Sequence, residues 1–228
     1  MTFSLDTSVV VTATLGGADR LWQRWLNFDK TIESKRFITP AAYEQYELVV
    51  EGLGTPDPGI FDESVYDTLR IISRADPSVP DLSHAHALNL DDNRAGRAVR
   101  LVQEIQAELG PGGWSRMAAI ARLREFEVAF ATRRMDFFKR HPVVGPTDRP
   151  KADVLCDALL PINRGGGVAW RQACRIAAES SMVGQERGTD VTLVAEGGPL
   201  SRNGAAIRSQ SGLRDIVDLQ MASHCGRP

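Results

Sequence analysis

The sequence has no run of about 18 apolar residues, so it offers no helix able to span a bilayer. It has 3 cysteines, Cys156, Cys174 and Cys225, an odd number confined to the last third and without a CxxC pair. A disulfide framework is not expected, and a reducing compartment is. No basic region precedes the short apolar stretch Val9-Val10-Val11, so Met1–Thr14 is a poor signal peptide. No GxSxG or HExxH occurs, and Gly165-Gly166-Gly167 is not followed by the Lys-Ser/Thr of a P-loop. His84-Ala85-His86 opens like a metal site but lacks suitably spaced further ligands.

At 228 residues, 43% hydrophobic and 25% charged, the composition is that of an ordinary globular protein with a real core. The net charge of −2 conceals strong segmentation. Residues 40–92 carry eleven acidic and two basic side chains, whereas residues 93–140 carry five acidic and ten basic ones. Such polarity suits contacts between copies and a confined anion site.

Up to His141 the apolar spacing is helical. Leu21, Trp25, Phe28 and Ile32 place an amphipathic helix near 18–33. Thr39-Pro40 starts another, with Thr as cap and Pro at the first helical position. Val65, Leu69 and Ile72 suggest a third over 62–74, and residues from Asn93 to Leu109 a fourth. A further helical segment covers 114–139. The aromatic set Trp22, Trp25, Phe28, Tyr43 and Tyr46 reads as core. No alternating segment competes in this region. Residues 145–228 are Gly- and Ser-containing, with weak helices near 168–181 and 212–222 and a strand at 190–195.

Asp91-Asp92-Asn93-Arg94-Ala95-Gly96-Arg97 stands at the change of charge sign. A carboxylate there can cap a helix, and Arg94 and Arg97 then lie side by side on its first turn. A helix N-terminus with two guanidiniums is a compact phosphate site.

The order of these features resembles the coat proteins of rod-shaped plant RNA viruses, the Virgaviridae type. The likeness rests on Trp22 through Phe28 with Tyr43 to Leu53, on Phe61-Asp62-Glu63 with Val65 to Ile72, on Asn93 to Ala98, and on Ala119 to Phe138. Phe130, Arg133 or Arg134, and Phe137 stand nearest to the family's closing signature, while Gly96 departs from it where a basic residue is usual.

The resemblance implies an all-α, antiparallel four-helix bundle over 17–144. An N-terminal arm at 1–16 precedes it, and a loosely structured, exposed C-terminal extension at 145–228 follows. It implies a structural coat, not an enzyme, that assembles into a helical homopolymer around single-stranded RNA, in the virion and the host cell cytoplasm. Asn93, Arg94, Arg97, Arg100 and Arg116 would bind RNA phosphates. Asp91, Asp92, Glu63 and Asp67 would form inter-subunit carboxylates, with calcium as the one cofactor to consider there, and no membrane is involved. Two other classes fit the residues: a non-viral helical nucleic-acid-binding or regulatory protein, and a hydrolase or toxin domain using His141, Cys174 or His224.

Overall fold

The computed structural model describes residues 2–15, 20–31, 35–51 and 116–222. The all-α expectation is corrected by a four-stranded, wholly parallel sheet. β1 (Thr2–Leu5) is followed by helices α1 (Thr7–Leu15) and α2 (Arg20–Thr31), then β2 (Lys35–Ile38) and α3 (Pro40–Glu51). The long helix α4 (Arg116–Arg140) is followed by α5 (Arg149–Leu159), a 3-10 turn (Leu160–Asn163) and α6 (Gly167–Arg187). β3 (Val191–Val194), α7 (Gly198–Arg202), α8 (Gly204–Ser211), β4 (Asp215–Val217) and α9 (Leu219–Ala222) complete the order. Two compact units divide the chain, one formed by Met1–Glu47 with Arg133–Pro228 and one by Leu48–Thr132. The sheet and both sites described below belong to the first.

The loosely structured extension is corrected with the bundle. Half of the sheet comes from it, since β3 pairs with β1 and β4 with β3, giving the order β2-β1-β3-β4. Alternation along each strand gives the sheet two buried faces. Phe3 and Arg36, in register, lie on the α2 face: Phe3 meets Phe28 edge-on at 5.4 Å, and the Arg36 guanidinium lies 4.8 Å from the Phe28 centroid. Ser4, Phe37 and Leu193 lie on the other face, where Ser4 Oγ and Ser180 Oγ of α6 are 2.7 Å apart.

Strands covered on both faces lose the polar–apolar alternation by which a strand is recognised. Thr-Phe-Ser-Leu alternates, but over four residues only, and Lys-Arg-Phe-Ile carries no alternation, so both escape a reading based on periodicity.

Helix α6 lies close to the sheet because its inner face is small: Ala177, Ala178, Ser180, Ser181 and Gly184 are all buried. A Cβ on Gly184 would come within 2.9 Å of Val191 Cγ2 and 3.0 Å of Thr189 O. The Gly and Ser content that suggested a loose tail thus permits tight packing. The helix ends in a left-handed cap at Gly188, φ 58°, which glycine adopts without a Cβ clash.

Tyr46, Trp25, Phe28 and Phe137 are buried, with Trp25 and Phe137 centroids 5.4 Å apart. Trp22 and Tyr43 of the expected core set are only half-buried. Thr39 and Pro40 act as expected: Pro40 opens α3, and Thr39 Oγ1 accepts from Ala42 N at 3.3 Å.

Candidate functional site

In a parallel sheet of order 2-1-3-4, the chain leaves β1 and β3 in opposite directions. The crevice at their carboxyl ends is the usual place for a ligand. β1 delivers Asp6-Thr7-Ser8 to this rim, and β3 delivers Glu196, Gly197 and Gly198.

Asp6 sits between β1 and α1, and its backbone serves both. Its N–H donates to Val194 O at 2.9 Å, and its carbonyl accepts from Val9 N and Val10 N at 3.0 and 3.1 Å. Its carboxylate is buried and accepts from the Ser8 hydroxyl at 2.7 Å. Among the described residues no cation pairs with it. Burial pushes the carboxyl above its ordinary range, outweighing the hydrogen bonds from Ser8 and Thr7.

Ser8 ties the two strands together at this point. Its oxygen also accepts from Glu196 N at 3.0 Å. Glu196 in turn accepts from Arg24 Nη1 at 2.6 Å and from Leu219 N at 3.1 Å. On the other side, Thr7 Oγ1 lies within hydrogen-bond reach of Ala42 O (3.1 Å) and Gln45 Oε1 (3.0 Å). Ala41 N donates to the buried Glu179 at 2.9 Å, and Arg175 bridges Glu179 (3.3 Å) and Glu44 (2.7 Å). Burial also raises the Glu179 carboxyl, against the hydrogen bond from Ala41 and the charge of Arg175. Hydrogen bonds thus link Asp6 through Ser8 and Glu196 to Arg24, while Arg175 stands apart with two glutamates; both arginines are part-exposed and neutralised. Gly197 turns away from β3 with φ 69°, and a Cβ there would meet nothing within 4 Å.

The residues singled out for RNA, Asn93, Arg94, Arg97 and Arg100, lie outside the described residues, as do Glu63, Asp67, Asp91 and Asp92. Arg116 is the first residue of α4. Of the nucleophile and base candidates, His224 is also outside, and the other two are separated from the rim chemistry. Cys174 is fully buried in α6, and burial with Cys156 nearby pushes its thiol up to about 12, so it stays protonated. His141 lines a pocket with Thr2 and Lys35, at the amino ends of the strands.

The basic residues Arg133 and Arg134 make intramolecular bonds: Arg133 Nε donates to Thr14 O at 2.9 Å, and Arg134 Nη2 to Glu47 Oε1 at 2.6 Å.

Asp6 was missed by sequence reasoning because its signal, a carboxylate directly after a strand and before a helix, needs the strand to be recognised first. Among the described residues, no group of three His, Cys, Asp or Glu side chains is arranged to hold a metal ion, and no helix is long and apolar enough to cross a membrane. Comparison with protein-family models, with curated proteins and with solved structures yields no match, so the fold and the Asp6 rim are the ground on which function is argued.

Proposed function

We propose that this chain is a hydrolytic α/β domain that uses Asp6 as its acid–base group on a phosphoester or a carboxylic ester. One observation carries the reading: a buried carboxyl, without a counter-cation among the described residues, stands at the carboxyl end of a central strand, at the switch point of a parallel sheet. A carboxyl raised above its ordinary range keeps its proton to higher pH than a free one, which suits acid–base exchange. The Asp6 carboxylate would take a proton from water as the oxygen adds to the ester. The resulting acid would return that proton to the leaving alkoxide, so the step balances without an external reagent. Arg24 and Arg175 are already paired, with Glu196 and with Glu44 and Glu179, so the choice among phosphoesters and carboxylic esters is left to the substrate panel below.

The test is hydrolysis of bis(p-nitrophenyl) phosphate, p-nitrophenyl phosphate and p-nitrophenyl acetate by the full chain, with and without added magnesium or manganese. Turnover of any of these esters that falls at least about 100-fold in Asp6→Asn supports the proposal. No turnover of any substrate, or turnover unchanged in Asp6→Asn, overturns it.

The coat-type reading, with single-stranded RNA and a helical homopolymer as partners, is the competing proposal. Its phosphate residues Arg94 and Arg97 lie outside the described residues, and the bundle it implied is replaced by the parallel sheet. RNA-containing rods in negative stain would favour it over the hydrolase.

A further inference from the structure

At the opposite end of the sheet from Asp6, a pocket of about 650 Å³ opens beside the amino ends of β1 and β2. Its volume is that of a small-molecule site. Among the described residues its charge is lopsided: Lys30, Lys35, Arg36, Arg140 and Arg187 line it, against the single carboxylate of Asp29.

That carboxylate is already committed. Asp29 pairs with Arg36 through one oxygen and with Arg140 Nη1 at 2.8 Å through the other. Lys30, Lys35 and Arg187 have no carboxylate partner among the described residues and are exposed. Three separate elements contribute these cations: the end of α2, the start of β2 and the end of α6.

The pocket also holds an unmet polar group. His141 is 4% exposed, and among the described residues its Nε2 has no hydrogen-bond partner. The nearest carboxylate oxygen, on Asp29, is 3.9 Å away, beyond hydrogen-bond reach. The ring is fixed by Phe137 at 4.7 Å and Trp25 at 5.9 Å, centroid to centroid. A buried nitrogen without a partner costs stability unless something else satisfies it. As the Nε2–H tautomer, it donates to an oxyanion.

We infer that this pocket is a phosphate-group site, in which Lys35 and Arg187 supply charge at the mouth and His141 Nε2 donates from within. A tetrahedral oxyanion matches the set because it accepts from several directions at once, as separate ammonium, guanidinium and imidazole donors require. The ligand is inorganic phosphate or the phosphate group of a nucleotide. This inference is independent of the chemistry proposed for the Asp6 rim.

The test titrates the full chain with inorganic phosphate, adenosine monophosphate and sodium chloride of matched ionic strength, by calorimetry and by thermal shift. Saturable phosphate binding is expected, with movement of the His141 imidazole resonance in nitrogen-correlated NMR. Lys35→Gln with Arg187→Gln alters two exposed side chains, so the fold is retained; affinity should fall at least about tenfold, corresponding to roughly 1.4 kcal/mol. Tighter binding of the monophosphate than of inorganic phosphate identifies a nucleotide, and equal binding identifies the free ion. A thermal shift no larger than that of chloride, a still imidazole resonance, or unchanged affinity in the double variant overturns the inference. Hydrolysis in the double variant should equal that of the parent, so failure of one site is distinguishable from failure of the other.

Discussion

Arg36 and Asp29 form an ion pair in which a strand residue is held by the helix preceding it. Arg36 is buried on the α2 face of β2, and Asp29 receives it while also receiving Arg140. Burial alone would raise the Asp29 carboxyl. The hydrogen bonds and charges of Arg140 and Arg36 outweigh this and hold it below its ordinary range.

Asp29→Ala should therefore destabilise the fold by about 3 kcal/mol, because Arg36 is left as a buried, uncompensated charge. Arg36→Met combined with Asp29→Leu should cost less than the single change, since both charges are then gone. Urea unfolding of the parent and the two variants measures this. A double variant less stable than Asp29→Ala would refute the account.

His141 should make stability fall in acid. Burial, with the charges of Arg36 and Arg140, lowers its pKa from 6.5 to about 4, despite the carboxylate of Asp29. The unfolded chain thus takes up a proton at higher pH than the folded one. The neutral ring's contribution is fully present above pH 6.5 and is lost as pH falls towards 4, in total roughly 3 kcal/mol. The raised carboxyls of Asp6 and Glu179 act in the opposite sense, so the quantity to measure is a difference. Subtracting the His141→Phe profile from the parent should isolate a decline confined to that window.

Asp6→Asn should stabilise the protein, and under the proposed hydrolase reading the same change should remove activity. The buried carboxylate is unfavourable when ionised, so the gain should be present at pH 8, on the order of 1 kcal/mol, and should shrink in acid where Asp6 is protonated. Thermal melts at pH 8 and pH 4.5 check the sign. A loss of stability at pH 8 would remove the argument that Asp6 is kept for function.

Gly184→Ala should destabilise by about 1–3 kcal/mol, because the added methyl meets backbone at Thr189 and the branched side chain of Val191. Gly188→Ala should cost about 1 kcal/mol for a different reason, the left-handed backbone at φ 58°. Chemical denaturation separates them: Gly184→Ala with Val191→Ala should recover part of the first loss and none of the second.

The helices with strong periodicity were legible almost to their ends. The expected 18–33 and 114–139 are observed as Arg20–Thr31 and Arg116–Arg140. The strand expected at 190–195 is Val191–Val194, while the helix expected over 212–222 is divided between β4 and α9. The candidate site was not legible. Asp6 follows a four-residue strand, and the hydrogen bond that closes the rim beside it joins Ser8 to Glu196, 188 positions away in the chain. Local pattern carries no information about such pairings.

The sequence by itself determined the helices at Arg20–Thr31 and Arg116–Arg140, the aromatic anchors Trp25, Phe28 and Tyr46, and the Thr39-Pro40 start, because spacing, capping and proline geometry act over a few residues. Tertiary structure alone decided that Thr2–Leu5 and Val191–Val194 pair side by side, and that Asp6 stands where they end. The reason is physical: a strand buried on both faces is stabilised by neighbours distant in the chain. Only when those neighbours are in place does the carboxyl that follows it become buried.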